Sequence, residues 1–466
     1  MWQLREAARA ENRAAGQRLA VIGELDLLWL RRFGERETWG TDTHDAITAE
    51  IVAALGITRG LADSYLDYAR AMRLRLPRVG ALLVAGDIDY RTFQTIVYRT
   101  DLITDTQVLA AVDAELALKV ARWTGITQGR LGGQVDRIVT RADQDAVRRR
   151  RERRGDREVS FWGNADGLTE MFGRLITTDA HAIDARLDAL AATVCVDDPR
   201  TRNQRRADAL GALAVGADRL SCRCGQEDCA AAASPAPSPV VVHVIANEAT
   251  LDGTGHVPGS VIGSDALVPA ELIAELARSA KLRPLTHPAH LPPESGYTPS
   301  RTLAYFVRCR DLTCRFPGCD QPATRCDLDH TVPYADGGPT HASNLKALCR
   351  HHHLMKTFWG WHDQQLSDGT VIWTSPSGQT YITTPGSAIL FPSLCIPTEV
   401  SEPDPDRPRC ADRAAMMPKR RRTRAQNRAN YVATERRHNL AARQAAQHAA
   451  SGGPAPPARD DEPPPF

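Results

Sequence analysis

Cys314-Arg-Phe-Pro-Gly-Cys319, then Asp329-His330-Thr-Val-Pro333, Gly337-Gly338, Asn344-Leu345 and Cys349-Arg-His-His-His353-Leu-Met-Lys356, hold the densest chemistry in the chain. A closed structural zinc site takes four Cys or His ligands, usually as two short pairs. Cys314-x4-Cys319 and Cys349-x2-His352 are such pairs, and Pro317-Gly318 builds the turn the first one needs. Cys309 and Cys326 compete in sequence, since Cys309-x4-Cys314 repeats the spacing. The run His351 to His353 leaves the register between a zinc ligand and a second metal ligand open by one residue.

Inside these brackets lie Asp329, His330, Asn344 and His353. Hydrolysis of a phosphodiester needs an activated water and a cation at the scissile phosphate. A histidine titrates near neutrality and can act as the base. A carboxylate and a second histidine can hold a divalent cation and leave positions for phosphate and water. Asn344 can fix the loop that aims the first histidine. The segment from Asn344 to His353 is expected to begin a helix, facing a strand that bears Asp329 and His330. The rival reading is a zinc knuckle in a DNA-binding module, with His330 a buried structural residue.

Working outward, Ser300 to Cys309 reads as a short helix carrying Arg301, Arg308 and Arg310 toward the cluster, with Arg308 and Arg310 as phosphate contacts. Downstream, Trp359 to Trp361, Gly369 to Trp373 and Gln379 to Ile382 read as short strands separated by Asp368-Gly369 and Pro376-Ser377-Gly378 turns. Beyond Pro397 the apolar periodicity is lost. Residues 419–443 carry nine Lys/Arg against one Glu, which predicts a disordered tail with a basic patch suited to nucleic acid.

Upstream, apolar residues at steps of three and four predict helices over 1–35, 43–55, 61–76, 78–85, 90–99, 105–120 and 128–141. The run Arg148 to Arg154 is either a phosphate contact or a solvated helix end. Val159 to Trp162 and Leu168 to Leu175 read as a hairpin about Asn164-Ala-Asp166-Gly167. Helices follow over 179–194 and 201–220. Asp184 and Asp188 share a face of the first, and with no His nearby in sequence they read as surface charge. Cys222-Arg-Cys224-Gly-Gln-Glu-Asp-Cys229 offers part of a second zinc site, with His243 as a candidate fourth ligand, or else free thiols on a loop. Residues 230–239 read as a linker, 240–246 as a strand and 269–279 as a helix. The glycines of 253–259 lack the order of a nucleotide loop. Residues 282–299 are irregular and mark a domain boundary.

The chain has 466 residues, 42% hydrophobic and 24% charged, with a formal net charge of +2. That is room for two or three domains. Eleven cysteines, an odd number clustered beside histidines, favour metal binding in a reducing compartment over a disulfide framework. The N-terminus is charged from Arg5 onward, and no apolar run approaches the length of a membrane span. A cytoplasmic protein without membrane contact is expected.

The stretch Cys314–Lys356 resembles an HNH endonuclease domain through Asp329-His330, Asn344 and His353, with Pro333, Gly337-Gly338, Leu345 and Lys356 also matching. The resemblance implies two strands and a helix clamping one metal. His330 is then the general base, Asp329 and His353 hold Mg²⁺ or another divalent cation, Asn344 orients the base and Lys356 neutralises phosphate. Zn²⁺ on Cys314, Cys319, Cys349 and His352 is the structural staple. More widely, Gly86-Asp-Ile-Asp, Arg122-Trp-Thr, Ala165-Asp-Gly-Leu, Arg205-Arg-Ala-Asp-Ala-Leu and Cys222-Arg-Cys resemble the actinobacterial thirteen-E-twelve repeat family over residues 15–390. Its members join a largely helical N-terminal domain of unknown function to such a nuclease domain.

The expected architecture is therefore a mainly α domain with a small β-hairpin over 1–290. A zinc-stapled α+β (ββα-metal) HNH domain with flanking short strands follows over 300–395, then a disordered basic, Pro-rich tail over 396–466. The expected activity is a metal-dependent DNA endonuclease. DNA is the partner, with homo-oligomers formed through the helical domain. The alternative is a catalytically inactive, zinc-stapled DNA-binding or regulatory protein.

Overall fold

The computed structural model describes residues 1–123, 126–147, 157–163, 168–231, 242–262, 267–278, 280–399 and 417–451. The arginine run at 148–154, the hairpin turn at 164–167 and most of the 230–239 linker lie outside them, as do 400–416 and 452–466. Among the described residues no helix is long and apolar enough to cross a membrane.

Seven helices open the chain: α1 (Trp2–Phe33), α2 (Thr43–Leu55), α3 (Arg59–Arg70), α4 (Pro77–Ala85), α5 (Tyr90–Thr100), α6 (Thr106–Val120) and α7 (Gln128–Ala142). The 61–76 pattern is an α-helix that relaxes into a π-turn at Ala71–Arg75, and Pro77 then starts α4 at the position where a missing N–H costs nothing. Leu19, Ile22 and Trp29 line the buried side of α1 against α2, α3 and α4. Gly16 lets α4 close in, because a Cβ there would meet the Val84 backbone at 2.8 Å. Helix α2 opens with a capping box in which the side chains of Asp42 and Asp45 each take the other's N–H.

The expected hairpin forms from β1 (Glu158–Gly163) and β2 (Thr169–Arg174), and α8 (Thr177–Ala191) and α9 (Arg202–Ala214) follow it. Leu187, Leu190, Ala209, Ala212, Ala217 and Leu220 form a small core of their own between these two helices. A three-stranded sheet of β3 (Val244–Ile245), β4 (Gly259–Val261) and β5 (Leu267–Val268) follows, with α10 (Glu248–Leu251) and α11 (Ala270–Ala277) packed on each other.

Next come α12 (Arg301–Asp311), β6 (Asp327–His330), β7 (Leu345–Leu348) and α13 (Arg350–Phe358). The segment expected to begin a helix at Asn344 is instead a strand through Leu348. Its residues are all buried and pair with β6, Asp329 opposite Lys346 and His330 opposite Leu345. The helix starts only after Cys349. Strands β8 (His362–Gln365), β9 (Val371–Thr374) and β10 (Thr380–Thr383) form an antiparallel sheet.

One core joins the N-terminal helices to the C-terminal strands. Trp359 sits 5.9 Å from Trp29, 5.8 Å from Phe33 and 5.7 Å from Trp39, and its Nε1 donates to Thr41. The same cluster continues through Cys314, Phe316, Trp361 and Trp373.

The basic tail departs from expectation. Residues 424–451 form helix α14, laid on the helical half. Arg424 pairs with Asp42 and Asp45, Arg428 with Asp101, Arg436 with Asp143 and Arg443 with Asp145. Asn439 donates to the Asp145 and Val147 carbonyls, and Val432 is buried. Weak apolar periodicity concealed the helix because ion pairs along its length, rather than an apolar stripe, dock it. Much of the tail's positive charge faces carboxylates of the same chain.

Candidate functional site

Cys314, Cys319, Cys349 and His352 bring one ligand atom each to within 4.8 Å of one another. Cys314 leaves α12 and Cys319 closes a turn through its N–H to the Phe316 carbonyl, with Gly318 at φ +70°. Cys349 caps α13, and His352 lies in that helix's first turn. The Nδ1 of His352 is 3.3 Å from the Cys349 sulfur and 3.6 Å from that of Cys314. Phe316 stacks on the His352 ring at 3.9 Å. Three thiols and an imidazole at this spacing suit a tetrahedral zinc ion. Hydrogen bonds from Cys314 and Cys319, joined by His352, hold the Cys349 thiol well below its usual range despite burial, while burial pushes Cys314 up and hydrogen bonds from Cys314 and Cys349 push Cys319 up. Cys309 belongs to another core cluster, and Cys326 points at the Gln321 and Pro322 carbonyls. Neither joins the group.

The three adjacent histidines point in different directions. His352 faces the thiols while His353 faces β6. The Nε2 of His353 lies 3.4 Å from Oδ1 of Asp329, and its Nδ1 lies 3.0 Å from Oδ2 of Asp327. Asp327 and Asp329 share a face of β6 because strand side chains alternate. A carboxylate on Nδ1 holds that nitrogen protonated and turns the Nε2 lone pair toward Asp329, the support that metal-binding histidines generally receive. Sequence reasoning missed Asp327, although its place two residues before Asp329 was the available signal. This oxygen–nitrogen pair suits a hard divalent cation, with room for water and phosphate.

The other oxygen of Asp329 meets two lysines, Lys346 Nζ at 2.6 Å and Lys356 Nζ at 2.7 Å. Lys346 is completely buried and also pairs with Asp363. Burial alone would raise the Asp329 carboxyl, but the ammonium groups of Lys346 and Lys356 hold it down at about 2. Near neutral pH it is therefore a carboxylate.

His330 is buried, with Nε2 2.9 Å from the Thr340 hydroxyl. That hydroxyl has one hydrogen and gives it to the Gly296 carbonyl at 2.6 Å. It must therefore accept from Nε2–H, which makes Nδ1 the basic nitrogen. Tyr297 stacks over the imidazole at 5.3 Å and Tyr334 meets it edge-on at 5.6 Å. Asn344 ties the following loop. Its Nδ2 donates to the Val332 and Pro339 carbonyls and its Oδ1 accepts from Val332 N–H. A Cβ on Gly338 would lie 1.9 Å from the Val332 carbonyl oxygen, so glycine is required there.

Two of the three expected phosphate contacts are engaged by the protein itself. Arg310 turns inward, to Asp311 and the Ala342 and Leu345 carbonyls, and is 2% exposed. Lys356 donates to Asp329 and to the His330 and Thr331 carbonyls. Arg308 is placed differently. It lines a cavity of about 640 Å³ with Arg283, Arg301 and Arg350, beside Asp327 and His353. Its Nε is buried without a protein acceptor.

Elsewhere, Asp184 and Asp188 pair with Arg206 and Arg202 on the surface, as expected of plain charge. Cys222, Cys224 and Cys229 do converge, and Cys195 is the fourth member of their group. His243 is not; its ring lies 6.2 Å from that of Tyr305.

Residues 6–311 match the family described as Domain of unknown function (DUF222), and residues 309–358 match the HNH endonuclease family. An uncharacterized protein of Mycobacterium tuberculosis (strain ATCC 25618 / H37Rv) is 43% identical over 93% of this chain and 89% of its own length. A second from the same strain is 42% identical over 94% of this chain and 87% of its own length. A third, from Mycobacterium tuberculosis, is 37% identical over 65% of this chain and 93% of its own length. No solved structure matches. The chain belongs to the DUF222 family, and it carries an HNH endonuclease domain on the C-terminal side of that region.

Proposed function

We propose that the protein is a metal-dependent DNA endonuclease that hydrolyses phosphodiester bonds at a one-metal site. The observation that carries the reading is Asp329 Oδ1 facing His353 Nε2 at 3.4 Å, with Asp327 behind the histidine. Asp329 and His353 would hold Mg²⁺ or a similar divalent cation, which would supply positive charge at the scissile phosphate and the leaving oxygen. His330 would take the proton of the attacking water on Nδ1, while Thr340 holds its Nε2–H. Asn344 keeps the 331–339 loop from carrying the base out of place. Arg283, Arg301, Arg308 and Arg350 offer the backbone of DNA a cationic wall next to the site. Zn²⁺ on Cys314, Cys319, Cys349 and His352 would hold α13, and with it His353, in place.

One observation favours the non-catalytic reading. Two buried ammonium groups already neutralise Oδ2 of Asp329, which weakens its pull on a divalent ion. A supercoiled-plasmid nicking assay with Mg²⁺ or Mn²⁺ separates the two, using wild type and His330→Ala. Loss of nicking in the variant supports the nuclease. Equal nicking by both, or none by either with metal bound, overturns it.

A further inference from the structure

We propose that Cys195, Cys222, Cys224 and Cys229 bind a second zinc ion, separate from the Cys₃His site, that staples the α8–α9 region into a self-standing unit. The four sulfurs lie within 4.8 Å of one another, and Cys195 and Cys222 are 3.4 Å apart. Tetrahedral zinc with ~2.3 Å bonds sets its thiolates ~3.8 Å from one another, so the group closes on one ion with small side-chain shifts. All four thiols are free and partly exposed, open to an entering ion.

The backbone around them is built to hold this meeting. Asp198, buried, accepts from the Arg223 N–H at 2.9 Å and from the Arg200 guanidinium at 2.7 Å. Arg200 in turn donates to the Ser221 carbonyl, and Arg205 to the Asp198 carbonyl. Thr193 accepts from the Leu220 N–H at 2.8 Å. These bonds lash the loop bearing Cys195 to the loop bearing Cys222 and Cys224. A turn with Gly225 at φ +75° brings Cys229 back, and the Cys222 N–H closes on the Ala231 carbonyl.

The need for a staple follows from packing. The unit's own core is six buried residues, three of them alanine, and it is a cluster apart from the main core. Cores this small seldom hold a fold alone, whereas a structural zinc contributes folding free energy directly. Binding releases the thiol protons to solvent and changes no oxidation state.

The test uses the purified full chain, with zinc measured by mass spectrometry of the metal. Wild type should carry two zinc ions per chain, and Cys195→Ser and Cys319→Ser one each. Because a variant can lose its metal by unfolding, a second measurement uses wild type reconstituted with Co²⁺. Its thiolate-to-cobalt absorption should correspond to seven thiolates per chain rather than three. One zinc per wild-type chain with Cys195 and Cys224 rapidly alkylated in the native protein overturns the proposal. So do Cys195–Cys222 or other disulfides among the four in unreduced protein, and so does iron in place of zinc.

Discussion

The two cysteine groups of this chain differ in what surrounds them. Cys314 and Cys349 are buried within the core shared by both halves, and their turn presses on α2, where a Cβ at Gly318 would meet Val52 at 2.7 Å. Cys195, Cys222, Cys224 and Cys229 are only half-buried, beside a six-residue core. The first group is embedded in structure that has other support, and it adjoins the candidate metal ligand His353. The second, with its proposed zinc, is itself the principal support of the unit it closes. Damage to the first should therefore reach chemistry and global stability together, and damage to the second should stay local.

The sharpest break is Cys319→Ser. Loss of that zinc should cost about 4 kcal/mol or more, lower the melting temperature of the whole chain and abolish nicking. Unchanged metal content and melting would refute the ligand assignment. His330→Ala should lower nicking by about 10²–10⁴-fold with both zinc ions retained, so a matching loss of stability would assign His330 a structural role instead. Asp327→Asn should weaken the divalent cation about 10–100-fold, as a higher Mn²⁺ requirement with near-normal nicking at saturation. If the Mn²⁺ titration does not move, Asp327 does not support His353.

Subtler is Thr340→Val, which removes the acceptor of Nε2–H and frees the other tautomer of His330. Nicking should fall about tenfold with a displaced pH profile, alongside a drop in stability of about 1–3 kcal/mol from the hydrogen bonds lost at Gly296 and Nε2. The smallest effect concerns His351, which burial, aided by Arg59, pushes down to about 3. The unfolded chain takes up this proton near 6.5 while the folded one does not until about 3. Stability thus declines as pH falls through that window. His351→Gln should show a smaller drop in melting temperature between pH 7.5 and 5.5 than wild type, and an equal drop would show that His351 does not govern the slope.

The helical half was readable because its apolar residues recur at helical spacing and its ends carry local signals such as Asp42 and Pro77. Asp329, His330, Asn344 and His353 stand out because the site draws them from one short motif. Thr340 and Lys346 do not, since their roles come from partners placed by folding, Gly296 for one and Asp363 for the other. Cys195 precedes Cys222 by 27 residues, too far for a paired spacing to reveal it. The strand at Leu345 was obscured by a continuous apolar run that suits helix or buried strand equally. Helix α14 was hidden because its partners Asp42, Asp101, Asp143 and Asp145 are scattered across the other end of the chain.

The aromatic enclosure of Trp359 bears on synthesis. Its walls, Trp29, Phe33 and Trp39, leave the ribosome some 300 residues before the side chain they receive. The helical half must wait with that face uncovered, and a C-terminal fragment made without it would present bare indole to water. A fragment beginning at Ser300 should therefore precipitate on expression, and recovery of a monodisperse, zinc-loaded fragment would count against this dependence. Gene fusions that borrow the HNH domain without the first forty residues would inherit the same defect.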